Sequence, residues 1–248
     1  MKKNINEYLV YGINNAISLF SSKRYTINSI ILIKGGMAET HPLISSIINN
    51  KKYIIKFLEK KEFYQKYNFK HTQGILVSFT AKLILDFQDV EFIDDNICYV
   101  ILDQINDPQN LGQILRTCEC AGVNGIILPK HGSVHITNSV LQVSQGAFTN
   151  VNIFIVTNIR DTINHLKNNK FWIIGVENSL KSDVWYKMDY SKKVCLVFGS
   201  EGKGIRKLVK QSCDFLTTIP MKGKISSLNV SASMSAILFE RQRQLDLK

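Results

Sequence analysis

The chain has 248 residues, 45% of them hydrophobic, and a formal net charge of +11. That length and apolar content supply a sizeable core and exclude a disordered chain, while no apolar run reaches the ~18 residues that a membrane-spanning helix needs. The positive excess fits a solvated basic surface or a polyanionic partner, and charge alone does not separate RNA, DNA and membrane. The five cysteines are odd in number and contain no C-x-x-C, which argues for a reducing compartment and against a disulfide framework or a zinc site. The five histidines show no metal-ligand spacing, so no metal is expected. The N-terminus has basic residues but no apolar signal core, and a cytoplasmic protein is expected.

Residues 1–80 read as a small α/β domain. Tyr8 to Tyr11 is short and apolar, Asn14 to Phe20 has helical spacing, and Asn28 to Ile33 is a β-branched strand. After the Gly35–Gly36 break, a helix is expected over Leu43 to Ile48 and a strand over Tyr53 to Phe57. A charged helix (LEKKEFYQKY) and a strand following Gly74 come next. Residues 86–95 then carry Asp86, Asp89, Glu91, Asp94 and Asp95, and this shift in composition marks 81–96 as an acidic linker.

From Ile97 the pattern is regular. ICYVILDQI is a near-continuous apolar run, as expected of a strand buried on both faces. NLGQILRTCECAG follows as a helix that places Leu111, Ile114, Leu115 and Cys118 on one stripe and stops at Gly122. Strands NGIILP, VNIFIVT, FWIIGVE, VCLVFG and FLTTIP alternate with helices at Asn138 to Gln145, DTINHLKN, IRKLVKQS and Asn229 to about Gln244. Such alternation means a largely parallel sheet covered on both sides, with ligands at the carboxyl ends of its strands. The polar loops after Ile105, Phe198 and Ile219 all fall at such ends. Residues 97–248 are therefore read as the second domain.

Three stretches have a bland and a chemical reading. In Asp107-Pro108-Gln109-Asn110, Pro early in a helix and Asn as cap are ordinary. Arg116 lies six residues on, about 9 Å along a helix axis. GSEGKGI, from Gly199 to Ile205, meets neither the phosphate-loop pattern nor the dinucleotide fingerprint. Its glycines would let a ligand approach the backbone, and Glu201 would suit a helix N-terminus. In the third stretch Val230, Met234, Ile237 and Leu238 form an apolar stripe that belongs in a core or a subunit contact. Ser227 and Asn229 could be plain caps there, and Arg241 and Arg243 suit a helix C-terminus.

Taken in order, Asn110 with Arg116, then Phe198-Gly199-Ser200-Glu201-Gly202, then Ile219-Pro220-Met221 with Ser227-Leu228-Asn229-Val230-Ser231 resemble the three signature motifs of the SpoU (TrmH-type) RNA ribose 2′-O-methyltransferases of the SPOUT superfamily. The resemblance covers about 97 to 245 and is strongest to members acting on guanosine in large-subunit (23S-type) rRNA. Tyr11-Gly12-Ile13 and Gln73-Gly74-Ile75 extend it to the small RNA-binding domain of such members. The resemblance implies a parallel α/β sheet closed by a C-terminal trefoil knot, and a homodimer formed through the C-terminal domain. S-adenosylmethionine would be held by backbone around Gly199, Ile219 and Leu228. Arg116, Asn110, Glu201, Ser227 and Asn229 would form the catalytic set, with Glu201 anchoring it. SQGAF at Ser144 to Phe148 and Asn152 depart from the family pattern. The competing expectations are a tRNA or other rRNA site, or a non-catalytic RNA-binding assembly factor. A nucleotide-binding redox domain is disfavoured because its glycine fingerprint is missing.

Overall fold

The computed structural model describes residues 6–50, 52–178 and 182–247, which divide into two compact units. The first holds β1 (Asn6–Tyr11), α1 (Ile13–Ser21), β2 (Thr26–Ile33), α2 (Met37–Thr40), α3 (Pro42–Asn49), β3 (Ile55–Leu58), α4 (Lys60–Lys66) and β4 (Ile75–Ala81). Its sheet runs β1-β4-β2-β3, with β4 antiparallel to β1 and β2 and β2 parallel to β3. The two motifs read in this unit touch. The Gly12 amide bonds the Ile75 carbonyl at 3.2 Å, and the Ile13 amide bonds Gln73 Oε1 at 2.8 Å. Gly12 (φ 88°) and Gly74 (φ 78°) adopt the left-handed backbone that the joint demands and that glycine takes without steric cost.

The second unit holds β5 (Ile84–Leu85), β6 (Cys98–Asp103), α5 (Pro108–Cys120) and β7 (Gly125–Pro129). The next helix, α6 (Asn138–Val143), belongs instead to the first unit, which takes Ile136–Thr149. The contiguous division at 81–96 is corrected accordingly. The side-chain amide of Gln142 both accepts from the Tyr11 amide and donates to its carbonyl, each at 2.9 Å, so it stands in for a neighbouring strand. Phe148 stacks on Phe79. The acidic stretch is also more than a tether. Its β5 pairs with a sheet strand, and Phe87 is buried against Tyr99 and Phe154.

The remaining elements are β8 (Asn152–Val156), α7 (Ile159–Asn168), β9 (Trp172–Val176), β10 (Asp183–Val184), β11 (Val194–Gly199), α8 (Lys207–Lys210), β12 (Phe215–Thr218) and α9 (Val230–Asp246). The sheet order is β10-β12-β9-β11-β6-β7-β8-β5, and every neighbouring pair is parallel. All six residues of β6 are buried, as a central strand covered on both faces requires. After β6 the chain builds outward through β7 and β8, then returns to the other side for β9 and β11. The order therefore reverses between β6 and β11, whose last residues Asp103 and Gly199 are register partners. In open parallel sheets that crevice is where ligands sit.

Helix α9 packs on α5 with Val230, Met234, Ile237 and Leu238 buried, so the apolar stripe is core. Arg241 is 2% exposed and donates to the Asn96 carbonyl, so its place is inside the unit rather than at a solvated helix end. The helix expected over IRKLVKQS shrinks to the four residues of α8. Asp103 fixes Arg206 just before it, and the Asp214 amide bonds the Ile173 carbonyl at 2.8 Å, drawing the chain into β12.

Candidate active site

Asp107, not Asn110, caps α5. Its carboxylate accepts the Gln109 amide at 2.9 Å, and Pro108 opens the helix where no amide hydrogen is needed. Asn110 is thereby free for other work. It is 8% exposed, and its amide donates to Glu201 Oε1 at 3.1 Å. Glu201 is not at a helix N-terminus either; it sits in the turn between β11 and α8. Asn229 does cap α9, accepting the Ser231 amide at 2.9 Å. The Asn229 Nδ2 group then reaches Glu201 Oε1 at 2.7 Å and Asn110 Oδ1 at 2.9 Å. The first turn of α5, the turn after β11 and the cap of α9 thus close a triangle of charge-assisted and neutral hydrogen bonds.

The Gly199–Arg206 turn is held from below. Ser200 and Gly204 form an isolated bridge, and the Gly204 amide bonds the Ser200 carbonyl at 2.9 Å. Asp103 is fully buried at the end of β6 and accepts the Arg206 amide at 2.9 Å and its Nε at 2.8 Å. The Arg206 guanidinium completes the pair at 2.7 Å. Beside it, Lys210 reaches Glu177 Oε1 at 2.6 Å. Gly199 has a reason for being glycine besides ligand approach. A Cβ there would lie 2.0 Å from the Gly204 carbonyl carbon, so the turn folds back over it.

Above this turn lies a cleft of about 440 Å³, lined by the ends of β9, β11 and β12 and by the 219–230 segment. The size is that of a small-molecule site. Gly199, Glu201, Ile219, Ser227 and Leu228 all line it. Asn110 and Asn229 adjoin it through Glu201. Arg116 is not among the lining residues. It stands exposed on α5, and no described residue forms a hydrogen bond or ion pair with it.

Several contributors escaped the sequence reading: Asp103, Arg206, Glu177, Lys210 and Gln113. A lone Asp closing an apolar strand was a usable signal for Asp103; nothing local marked the others. Cysteine chemistry is absent from the site. Burial pushes the Cys98 thiol up to about 11 and Cys213 to about 12.

The family model for the SpoU rRNA Methylase family matches residues 98–239. The chain belongs to this family. A relative from Shewanella oneidensis, the 23S rRNA (guanosine-2′-O-)-methyltransferase RlmB, is 34% identical over 242 residues, covering 95% of this chain and 97% of its own. Among solved structures, the SpoU methyltransferase AviRb from Streptomyces viridochromogenes, in complex with its cofactor AdoMet, has a TM-score of 0.81. It is 17% identical and covers 98% of this chain and 92% of its own. The A. aeolicus TrmH/SpoU tRNA modifying enzyme is 30% identical with a TM-score of 0.57, over 62% of this chain and 79% of its own. The SpoU match spans every strand end that builds the cleft, and the likeness to AviRb in fold extends over both units.

Proposed function

We propose that this protein transfers a methyl group from S-adenosylmethionine to the 2′-hydroxyl of a guanosine in large-subunit rRNA. The observation that carries the reading is the Asn110–Glu201–Asn229 triangle standing at a ligand-sized cleft, in a member of the SpoU family. The cleft suits the cofactor on its own chemistry. Phe198, Ile219 and Leu228 offer apolar lining for a nucleoside base. Glu177 Oε2 and Ser200 Oγ are buried without a hydrogen-bond partner among the described residues, and a polar ligand would satisfy them. The backbone around Gly199, Ile219 and Leu228 would hold the ligand. When bound, S-adenosylmethionine supplies a methyl already activated on sulfur.

The protein's own task is to orient the ribose and help its hydroxyl lose a proton. Arg116 brings a guanidinium cation. It therefore acts as a fixed cation beside the oxygen whose negative charge develops, and the nucleotide's own phosphate takes the proton. Asn110, Ser227 and Asn229 orient the sugar, while Glu201 anchors the set. The first unit binds RNA, two chains associate through the second unit, and the segment from β12 to α9 threads the trefoil knot. The protein works in the cytoplasm; among the described residues, no helix is long and apolar enough to cross a membrane.

The test is transfer of labelled methyl from S-adenosylmethionine to unmodified rRNA, with tRNA in parallel. A 2′-O-methyl blocks alkaline cleavage of the adjoining phosphodiester, so the label should be recovered in an alkali-resistant dinucleotide containing guanosine. Label on a base, or none on any RNA, would overturn the reading; label on tRNA alone would move the substrate.

A further inference from the structure

The hydrogen bonds around Ser231 have a consequence for direction. Ser231 Oγ lies 2.6 Å from Asn229 Oδ1 and 3.0 Å from Gln113 Oε1. A serine hydroxyl has one proton and cannot donate to two acceptors at once. Asn229 has no choice of orientation. Its Oδ1 already accepts the Ser231 amide at 2.9 Å, and its Nδ2 is committed to Glu201 and Asn110. The amide of Gln113 has no such commitment, and its oxygen and nitrogen exchange places by a half-turn.

We propose that Gln113 is a positioning residue, its amide nitrogen donating to Ser231 Oγ so that Ser231 donates in turn to Asn229 Oδ1. The hydrogen-bond chain then runs one way, from Gln113 on α5 through Ser231 and Asn229 on α9 to the Glu201 carboxylate. Each donor strengthens the next. The Asn229 amide is thus locked with its NH₂ group toward Glu201, the orientation that lets one side chain cap a helix and hold a carboxylate together. Gln113 lies on the same helix as Asn110 and Arg116, so α5 sets the orientation of Glu201 by a direct contact and by this relay. This inference rests on the methyltransferase reading for its kinetic arm only.

The direction gives an unusual order of effects. Gln113→Ala deletes the first donor, but Ser231 still gives its proton to Asn229; turnover should fall about threefold, in the range of a partly exposed hydrogen bond. Gln113→Glu has nearly the same shape but can only accept. A carboxylate outcompetes an amide oxygen for the Ser231 proton, leaving two oxygens facing each other at the Ser231–Asn229 contact. Its turnover should fall about tenfold, with the KM for S-adenosylmethionine changed less than twofold, since a misdirected acceptor costs more than a merely deleted donor. In a Ser231→Ala background the two variants should become equal.

The same four chains are to be compared by urea unfolding, which needs no activity. The expected result is that Gln113→Glu lowers the midpoint more than Gln113→Ala only while Ser231 is present. Gln113→Ala as damaging as Gln113→Glu, or a difference that survives Ser231→Ala, overturns the relay. Absence of turnover in the unaltered protein would refute the methyltransferase reading and leave the unfolding comparison to decide the relay.

Discussion

The cleft has two walls built on opposite principles. The Gly199–Arg206 turn is tied down at both ends: Gly199 pairs with β6, Ser200 bridges to Gly204, and buried Asp103 grips Arg206. The facing wall, from Ile219 to Asn229, is exposed from Lys222 through Asn229. Its described anchors are side chains: Asn178 donates to the Ser226 carbonyl at 2.7 Å, and Asn229 closes on Glu201. A wall with few backbone bonds opens locally at low cost, whereas one stapled to a central strand opens only with the sheet. The difference teaches that this site has a fixed half, which sets geometry, and an adaptable half held mainly by side chains. Glu201, in the fixed half, is the point at which the other half docks.

Substitutions test this contrast, and the largest effect belongs to the reacting groups. Arg116→Ala should reduce methyl transfer about a thousandfold while cofactor affinity by calorimetry stays within a few-fold, because a lost charge-stabilising group acts on the transition state alone. Retained turnover would remove Arg116 from the chemistry. On the fixed wall, Gly199→Val should cost stability before affinity. With its Cβ set against the Gly204 backbone, the turn must rearrange, and a loss of about 3 kcal/mol in urea unfolding is expected. A fully stable Gly199→Val protein that merely binds S-adenosylmethionine weakly would show that the glycine serves ligand approach alone.

Arg206→Ala should also be destabilising, by about 3 kcal/mol, because it strips the side-chain partner from a carboxylate with no solvent access. Lys210→Ala, whose pair with Glu177 is one-third exposed on the lysine side, should cost about 1 kcal/mol or less. Equal costs in the two would mean that burial of Asp103 does not set the rigidity of the turn. The smallest effects are expected on the adaptable wall. Replacing exposed Lys222 and Lys224 together by Ala should leave thermal stability unchanged and lower the salt dependence of RNA binding by a slope of about 1 per lysine. An unchanged slope would place the RNA elsewhere.

Much of the second unit was legible because its signals are local. A run such as ICYVILDQI can satisfy its backbone and bury both faces only inside a parallel sheet, and α5 shows its apolar stripe at 3.6-residue spacing. Cys118 buried and Cys120 exposed follow from the same spacing. Misreadings arose where two remote segments compete for one residue. Asn110 looked like a cap because the stronger cap, Asp107, stood three residues earlier in the same polar stretch. The close approach of the Gly204 backbone to Gly199 went unread because it is a feature of the folded turn rather than of composition. The helix of residues 138–143 was assigned to the wrong unit because membership of a core depends on partners such as Tyr11, 131 residues away.

By itself the sequence determined most of the strands and helices and the order of three polar loops at strand ends, since periodicity and turn chemistry act over a few residues. It also carried the family likeness, because those loops hold their motifs in fixed order. Only the tertiary structure decided that Asn110, Glu201 and Asn229 share hydrogen bonds, that Asp103 holds Arg206, and that Ser231 stands between Gln113 and Asn229. Contacts of that kind depend on the register of β6 against β11 and on the packing of α9 on α5. Hydrogen-bond direction is settled by what surrounds an atom in space, and no pattern along the chain encodes it.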